Sequence, residues 1–203
     1  MVTVYKDGVE VQSTPVLSDY SVFSGYLVEA GDGGQINGIT VYAGGMVDIA
    51  GGSADDVTMK AGALSVGEGG TASNVYLELH DAAAVVEDGG IITGLTIDGA
   101  TVTVQSAGTL SHSNIRSYTW TPAQGGEEVF YQGTVRLESG ARHTGALYIS
   151  KSSLLVAGTG AIIDFTLKNT AAGSATPILN NFTRISGAPD FTMTVSEEQA
   201  AGI

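Results

Sequence analysis

Three carboxylates, Asp32, Glu68 and Asp88, each stand immediately before a pair of glycines, and Glu68 and Asp88 fall on successive repeats of that pair. On neighbouring turns of a stacked chain their backbones would lie about 4.8 Å apart. Carboxylates that close could share a Ca²⁺ through oxygen ligands, or divide acid and base roles in glycosidic cleavage. Ala50 and Ser106 interrupt the column, and the GGxGxDxU calcium repeat is missing. A solvated acidic turn column that keeps the chain in solution is the favoured reading. No catalytic residue, metal ligand or cofactor is therefore assigned.

His80, His112 and His143 form no metal-spaced pair, none lies beside a G-x-S-x-G nucleophile motif, and each is read as a surface or turn residue. No Walker or G-x-G-x-x-G motif occurs, which removes phosphate-cradling chemistry. A carbohydrate-active β-helix enzyme, a polysaccharide lyase or glycosidase, is the alternative from a different class. It would need clustered carboxylates in a groove and basic residues to steady its substrate, and the only arginines are Arg116, Arg136, Arg142 and Arg184.

The segment RSYTWTPAQGGEEVFYQG, Arg116 to Gly133, gathers Tyr118, the single Trp120, Phe130 and Tyr131 around Glu127 and Glu128. Aromatic rings can stack on sugar or anchor a protein interface, and loops on a rigid scaffold often carry binding. These six residues are the candidate binding loop. The competing reading folds the insert down as a hairpin with its rings against the scaffold.

What must position that loop is a repeat. Glycine pairs begin at Gly33, Gly51, Gly69 and Gly89, with Ala107-Gly108 next, in steps of 18, 18, 20 and 18 residues. An alternating apolar triplet follows each: Ile39-Thr40-Val41, Val57-Thr58-Met59, Val75-Tyr76-Leu77 and Leu95-Thr96-Ile97, then Ile115, Leu147-Tyr148-Ile149 and Phe165-Thr166-Leu167. The candidate loop fills the one step of 32 between them. A second set precedes the glycines, running from Val47-Asp48-Ile49 to Val135-Arg136-Leu137 and Leu154-Leu155-Val156. Short period-two runs between turn signals read as strands, and their common register predicts coils stacked in a solenoid. At 18 to 20 residues a coil holds two short strands and turns, which suits a parallel β-helix better than a leucine-rich repeat. An all-β sandwich of hairpins is the runner-up.

Two columns carry more detail. Gly38, Asp56, Asn74, Gly94, Asn114, Ala146 and Asp164 precede the triplets and, Ala146 apart, are residue types that enter positive φ cheaply, so a corner is predicted there. Ile36, Ala54, Ala72, Ile92 and Leu110 form an apolar column expected to face inward. Thr40, Thr58, Thr96 and Thr166 would make an outward hydroxyl ladder, broken by Tyr76 and Tyr148.

The grammar of GGSADDVTM (51–59), GGTASNVYL (69–77) and GGIITGLTI (89–97) resembles the strand-loop-strand passenger repeats of AIDA-type autotransporter adhesins over about Gly25 to Asn169. The resemblance implies a right-handed β-helix at a Gram-negative cell surface, working in adhesion or self-association. It also implies heptose modification of Ser or Thr, for which Ser53, Thr71 and Ser73 are the matching positions. The segment 178–202 is similar to what often follows such repeats in long surface proteins, so the chain resembles a passenger fragment, without signal peptide or β-barrel translocator.

Bulk composition agrees. A formal charge of −13 disfavours nucleic acid and anionic membranes as partners. No run of 18 apolar residues exists, so no membrane insertion is expected from this segment, and the N-terminus lacks the basic and apolar regions of a secretory leader. The absence of cysteine excludes disulfides and thiolate sites. MVTVYKDGVEVQ reads as a hairpin turning at Lys6-Asp7-Gly8. The expected organisation is an N-terminal β cap over 1–24, solenoid over 25–169 with the loop at 116–133, and a capping segment over 170–203 that leaves the period. Residues 196–201 alone hint at a helical period. The expected partners are a second copy, a host surface or a carbohydrate, with a passive spacer stalk as the nearest rival.

Overall fold

The computed structural model describes residues 1–123, 125–167 and 178–195. Two long sheets face one another. The first stacks, in order, Val9–Thr14, Val2–Lys6, Tyr26–Ala30, Met46–Ile49, Gly62–Val66, Ala82–Val86, Thr101–Val104, Thr134–Leu137, Leu154–Ala157 and Ile185–Gly187. The second stacks Val16–Val22, Gln35–Val41, Ser53–Met59, Thr71–Leu77, Ile91–Asp98, Thr109–Arg116, Arg142–Ile149, Ile162–Thr166 and Asp190–Thr194. From Tyr26 onward each first-sheet strand feeds a second-sheet strand and pairs in parallel with its counterpart one coil away, giving eight coils among the described residues. The chain is an all-β parallel solenoid.

The core is built by position. On the first sheet Val47, Leu64, Ala84, Val102, Val135 and Leu155 are buried in register, as are Ile49, Val66, Val86, Val104, Leu137 and Ala157. Facing them lie Ile36, Ala54, Ala72, Ile92 and Leu110, the inward column the sequence predicted. Large members sit beside small ones, which lets adjoining coils interlock at crystal-like density. In the strand Leu154–Ala157 it is Leu155 and Ala157 that point inward, one residue later than Leu154-Leu155-Val156 suggests. An apolar run of three has no outward residue to reveal its phase.

The glycine pairs divide two tasks. The first member bends the chain at positive φ, 83° at Gly51 and 73° at Gly89, a region most side chains avoid. The second has no room: a Cβ at Gly70 or Gly90 would collide with the backbone carbonyl of Ile49 or Val66 on the preceding coil.

The corner column is corrected in three places. Positive φ occurs at Gly38, Asp56, Asn74 and Gly94, then at His112 and Gly145 rather than Asn114 and Ala146, and Asp164 does not adopt it. In the strand Thr109–Arg116 the first inward residue of the triplet is Ser113, a polar residue that hides the phase of an apolar-x-apolar pattern. Arg142–Ile149 carries one extra residue where the register slips between Ser111 and Ser113, moving its corner to Gly145.

The ends also differ from expectation. The hairpin Val2–Lys6/Val9–Thr14 is present, with Asp7 and Gly8 at φ 50° and 80° in its turn, and Val2–Lys6 pairs antiparallel with Tyr26–Ala30. The parallel stack nevertheless opens at Val16, within the segment 1–24 assigned to the cap. Likewise Ile185–Gly187 and Asp190–Thr194 continue both sheets in parallel, so the stack runs on past residue 170, while the chain does leave the period as expected, since Leu155 and its partner Ile185 stand thirty residues apart. The helical hint at 196–201 lies outside the described residues.

Candidate functional site

The 116–133 insert leaves the solenoid at the turn after Thr109–Arg116 and forms an antiparallel hairpin, Tyr118–Trp120 against Val129–Tyr131. Its base lies over the preceding turn, where Gly99 has φ 73° and a Cβ would stand 2.9 Å from Cβ of Tyr131 and 3.0 Å from that of Tyr118. Tyr131 reaches one coil further back and stacks on His80, ring centroids 3.6 Å apart and planes within 7°, while Tyr118 flanks it at 6.4 Å. Gln132 Nε2 donates to the Ser152 carbonyl at 3.0 Å. The hairpin is thus pinned along the solenoid flank.

Its far part is uncovered. Trp120, Phe130 and Val129 are 46%, 51% and 39% exposed. Glu127 and Glu128 are exposed beside them, and the Thr121 hydroxyl donates to Glu128 at 3.4 Å. By the pairing, Trp120 shares one face of the arm with Val129, Tyr118 and Tyr131, and Phe130 shares the other with Thr119, so the pinned arm shows an exposed aromatic ring on each face beside carboxylates, a composition that suits protein contact.

On the second sheet Ser53 and Thr71 are direct partners, as are Asp55 and Ser73. Thr71 is exposed and Ser53 and Ser73 are half-buried. Ser73 Oγ donates to the Asp55 carboxylate at 2.6 Å and Asn74 Nδ2 at 2.9 Å. Ser73 first, with Asn74 assisting, holds the Asp55 carboxyl below its ordinary range. Ser53, Asp55, Thr71 and Ser73 line a cleft of about 360 Å³ with Ile91 and Thr93.

Further along the same sheet, side chains of neighbouring coils are tied together beside two clefts. Tyr76 donates to Asp98 at 2.7 Å, and Arg116 pairs with that carboxylate, Nη2 donating at 2.8 Å while Nε lies 2.7 Å from the other oxygen without a hydrogen bond. Burial, then the Asp98 carboxylate it bonds, push the Tyr76 phenol up to about 12. A neighbouring cleft of about 480 Å³ runs past Leu95, Asn114 and Leu147 to Tyr148, which is half exposed. In the sequence Tyr76 and Tyr148 read only as interruptions of a Thr ladder; their recurrence in one register, Tyr76, Thr96, Asn114, Tyr148, was the available signal.

Asp32, Glu68 and Asp88 are all exposed, and the described residues contain no cluster of three groups able to hold a metal ion. Of the histidines, His112 occupies a corner and His80 a turn, but His143 is wholly buried, which corrects its reading as a surface or turn residue. It stands in register with Leu110 and Ile163 in the inward column, and its Nε2 lies 3.1 Å from Oγ of Ser113, another buried polar side chain.

No protein-family model and no curated protein matches the sequence. One similar structure is a crystallised fragment of TibA, hyper-glycosylated by TibC. It is 17% identical, with a TM-score of 0.35 over 88% of this chain and 84% of that one.

Proposed function

We propose that this chain is a non-enzymatic passenger segment of a bacterial surface or secreted protein, which presents the 118–131 hairpin for adhesion or self-association. One observation carries the reading: the hairpin base is locked by the Tyr131–His80 stack while Trp120 and Phe130 are held out in solvent. A solenoid is stiff because each coil is bonded to the next, so an arm fixed to its flank is displayed in a constant orientation. The repeats' resemblance to AIDA-type passengers supports an extracellular site, a second copy or a host-surface ligand as partner, and O-glycosylation at Ser53, Thr71 and Ser73. Thr71, as the exposed member, would be modified first.

Beads coated with the purified chain test the homotypic form. They should cluster in suspension, and Trp120→Ser with Phe130→Ser should disperse them while leaving the thermal midpoint in place. Dispersed wild-type beads would remove self-association, and clustering indifferent to both substitutions would remove the hairpin as its contact.

A further inference from the structure

Cations are scarce in this chain, with eight Lys and Arg against twenty-one Asp and Glu, and most of those described are neutralised. Lys6 pairs with Asp7, Lys60 with Glu78, Arg116 with Asp98 and Arg142 with Asp164. Among the described residues only Arg136, Lys151 and Arg184 have no carboxylate partner. Two of these three, Lys151 and Arg184, line one cleft of about 480 Å³, and no Asp or Glu lines it with them.

The cleft is built rather than incidental. Lys151 follows the strand Arg142–Ile149 in a turn closed by the Ser150–Ser153 hydroxyl bond at 2.8 Å. The opposite wall is clamped to that strand: Asn180 Oδ1 accepts from the Ile149 amide at 2.7 Å and Nδ2 donates to the Ile149 carbonyl at 3.1 Å. Leu147 N donates to the Ile178 carbonyl at 2.7 Å. The Arg184 amide donates to the Asn181 carbonyl at 3.2 Å, which fixes the backbone that carries the guanidinium. With the backbone of both walls held, an anion that gathers the two cations has only their side chains to order.

Tyr148 lines both this cleft and the apolar one beside it, with its ring half exposed. Such a ring accepts the apolar face of a pyranose. We propose that the cleft is a binding site for an acidic oligosaccharide: Lys151 and Arg184 hold a carboxylate or sulfate, and Tyr148 stacks on the sugar ring. The site rests on the last coils alone and goes beyond the adhesive role of the hairpin. The overall charge of −13 opposes an anion at long range, and salt at about 0.15 M screens that repulsion beyond about 8 Å.

Calorimetric titration of the whole chain with a sulfated uronate-glucosamine hexasaccharide tests this, beside a neutral hexasaccharide and inorganic sulfate. Lys151→Ala and Arg184→Ala should each weaken hexasaccharide binding about tenfold, the loss of one charge-assisted contact. Arg136→Ala should change nothing, and Tyr148→Ala should weaken the hexasaccharide while leaving inorganic sulfate unaffected. Absence of binding to the wild type, equal binding of the neutral sugar, inorganic sulfate binding as tightly as the hexasaccharide, or affinity unchanged in the Lys151→Ala/Arg184→Ala pair would each overturn the site.

Discussion

Lowering the pH from 7 to about 4 should cost the fold about 3 kcal/mol through His143 alone. Burial, and to a smaller degree the neighbouring His112, depress its imidazole from 6.5 to about 4. The unfolded chain therefore takes up a proton first as pH falls. The stability contributed by neutral His143 is complete above about 6.5 and is lost as pH drops through about 4. The ring has one partner, Ser113 Oγ, and its buried Nδ1 has none, so the charged form finds no compensation in the core. Replacing the pair together, His143→Leu with Ser113→Val, restores the apolar columns of Leu110, Ile163, Leu95 and Leu147. Urea unfolding at pH 7, 5.5 and 4 should show the double variant without the His143 slope; an unchanged slope would refute this assignment. Asp48, raised by burial and by Glu87, acts with the opposite sign in both proteins and cancels in the comparison.

Replacing Asp164 by Ala should destabilise the C-terminal coils by about 3 kcal/mol. This carboxylate is 2% exposed, accepts from the Thr194 amide at 3.1 Å and hydroxyl at 2.8 Å, and pairs with Arg142. Burial alone would raise its carboxyl, but the Thr194 and Arg142 contacts outweigh it and the net shift is downward. Its contribution is thus present above about 3.8 and fails only in stronger acid, below most of the window in which His143 acts. Arg142 and Thr194 are both open to water and can be resolvated, so the loss is that of the ion pair and the two hydrogen bonds that tie Asp164 to its neighbouring coils. Contacts in a solenoid are between neighbouring coils, so the loss should be local. Hydrogen exchange should quicken in Asp190–Thr194 and remain slow in Thr71–Leu77. Asp164→Asn, which keeps an acceptor, should fall between; uniform quickening along the chain would contradict a local tie.

The coil length, the two strands per coil and the inward column from Ile36 to Leu110 were legible because β-periodicity and glycine constraints act within each repeat. Legibility failed where a coil breaks its own chemistry. Ser113 and His143 are polar at inward positions, and their mutual bond joins residues thirty apart in sequence. Asp164 looked like a corner because Asp is cheap at positive φ, while its role depends on Arg142 and Thr194 in other coils. The aromatic insert was visible from composition and spacing, yet which rings are pinned depended on Gly99 and His80 in earlier turns. The Lys151/Arg184 cleft had no sequence signal, since only the clamp of Asn180 on Ile149 brings its walls together.

Sedimentation velocity over a wide concentration range, at low and high salt, tests the central claim most directly when run beside a variant lacking Tyr118 to Phe130. Reversible association of the wild type, strengthened as salt screens the charge of −13 and lost in the variant, is the predicted result. A monomer at every concentration and salt, or association that survives loss of the hairpin, would contradict it.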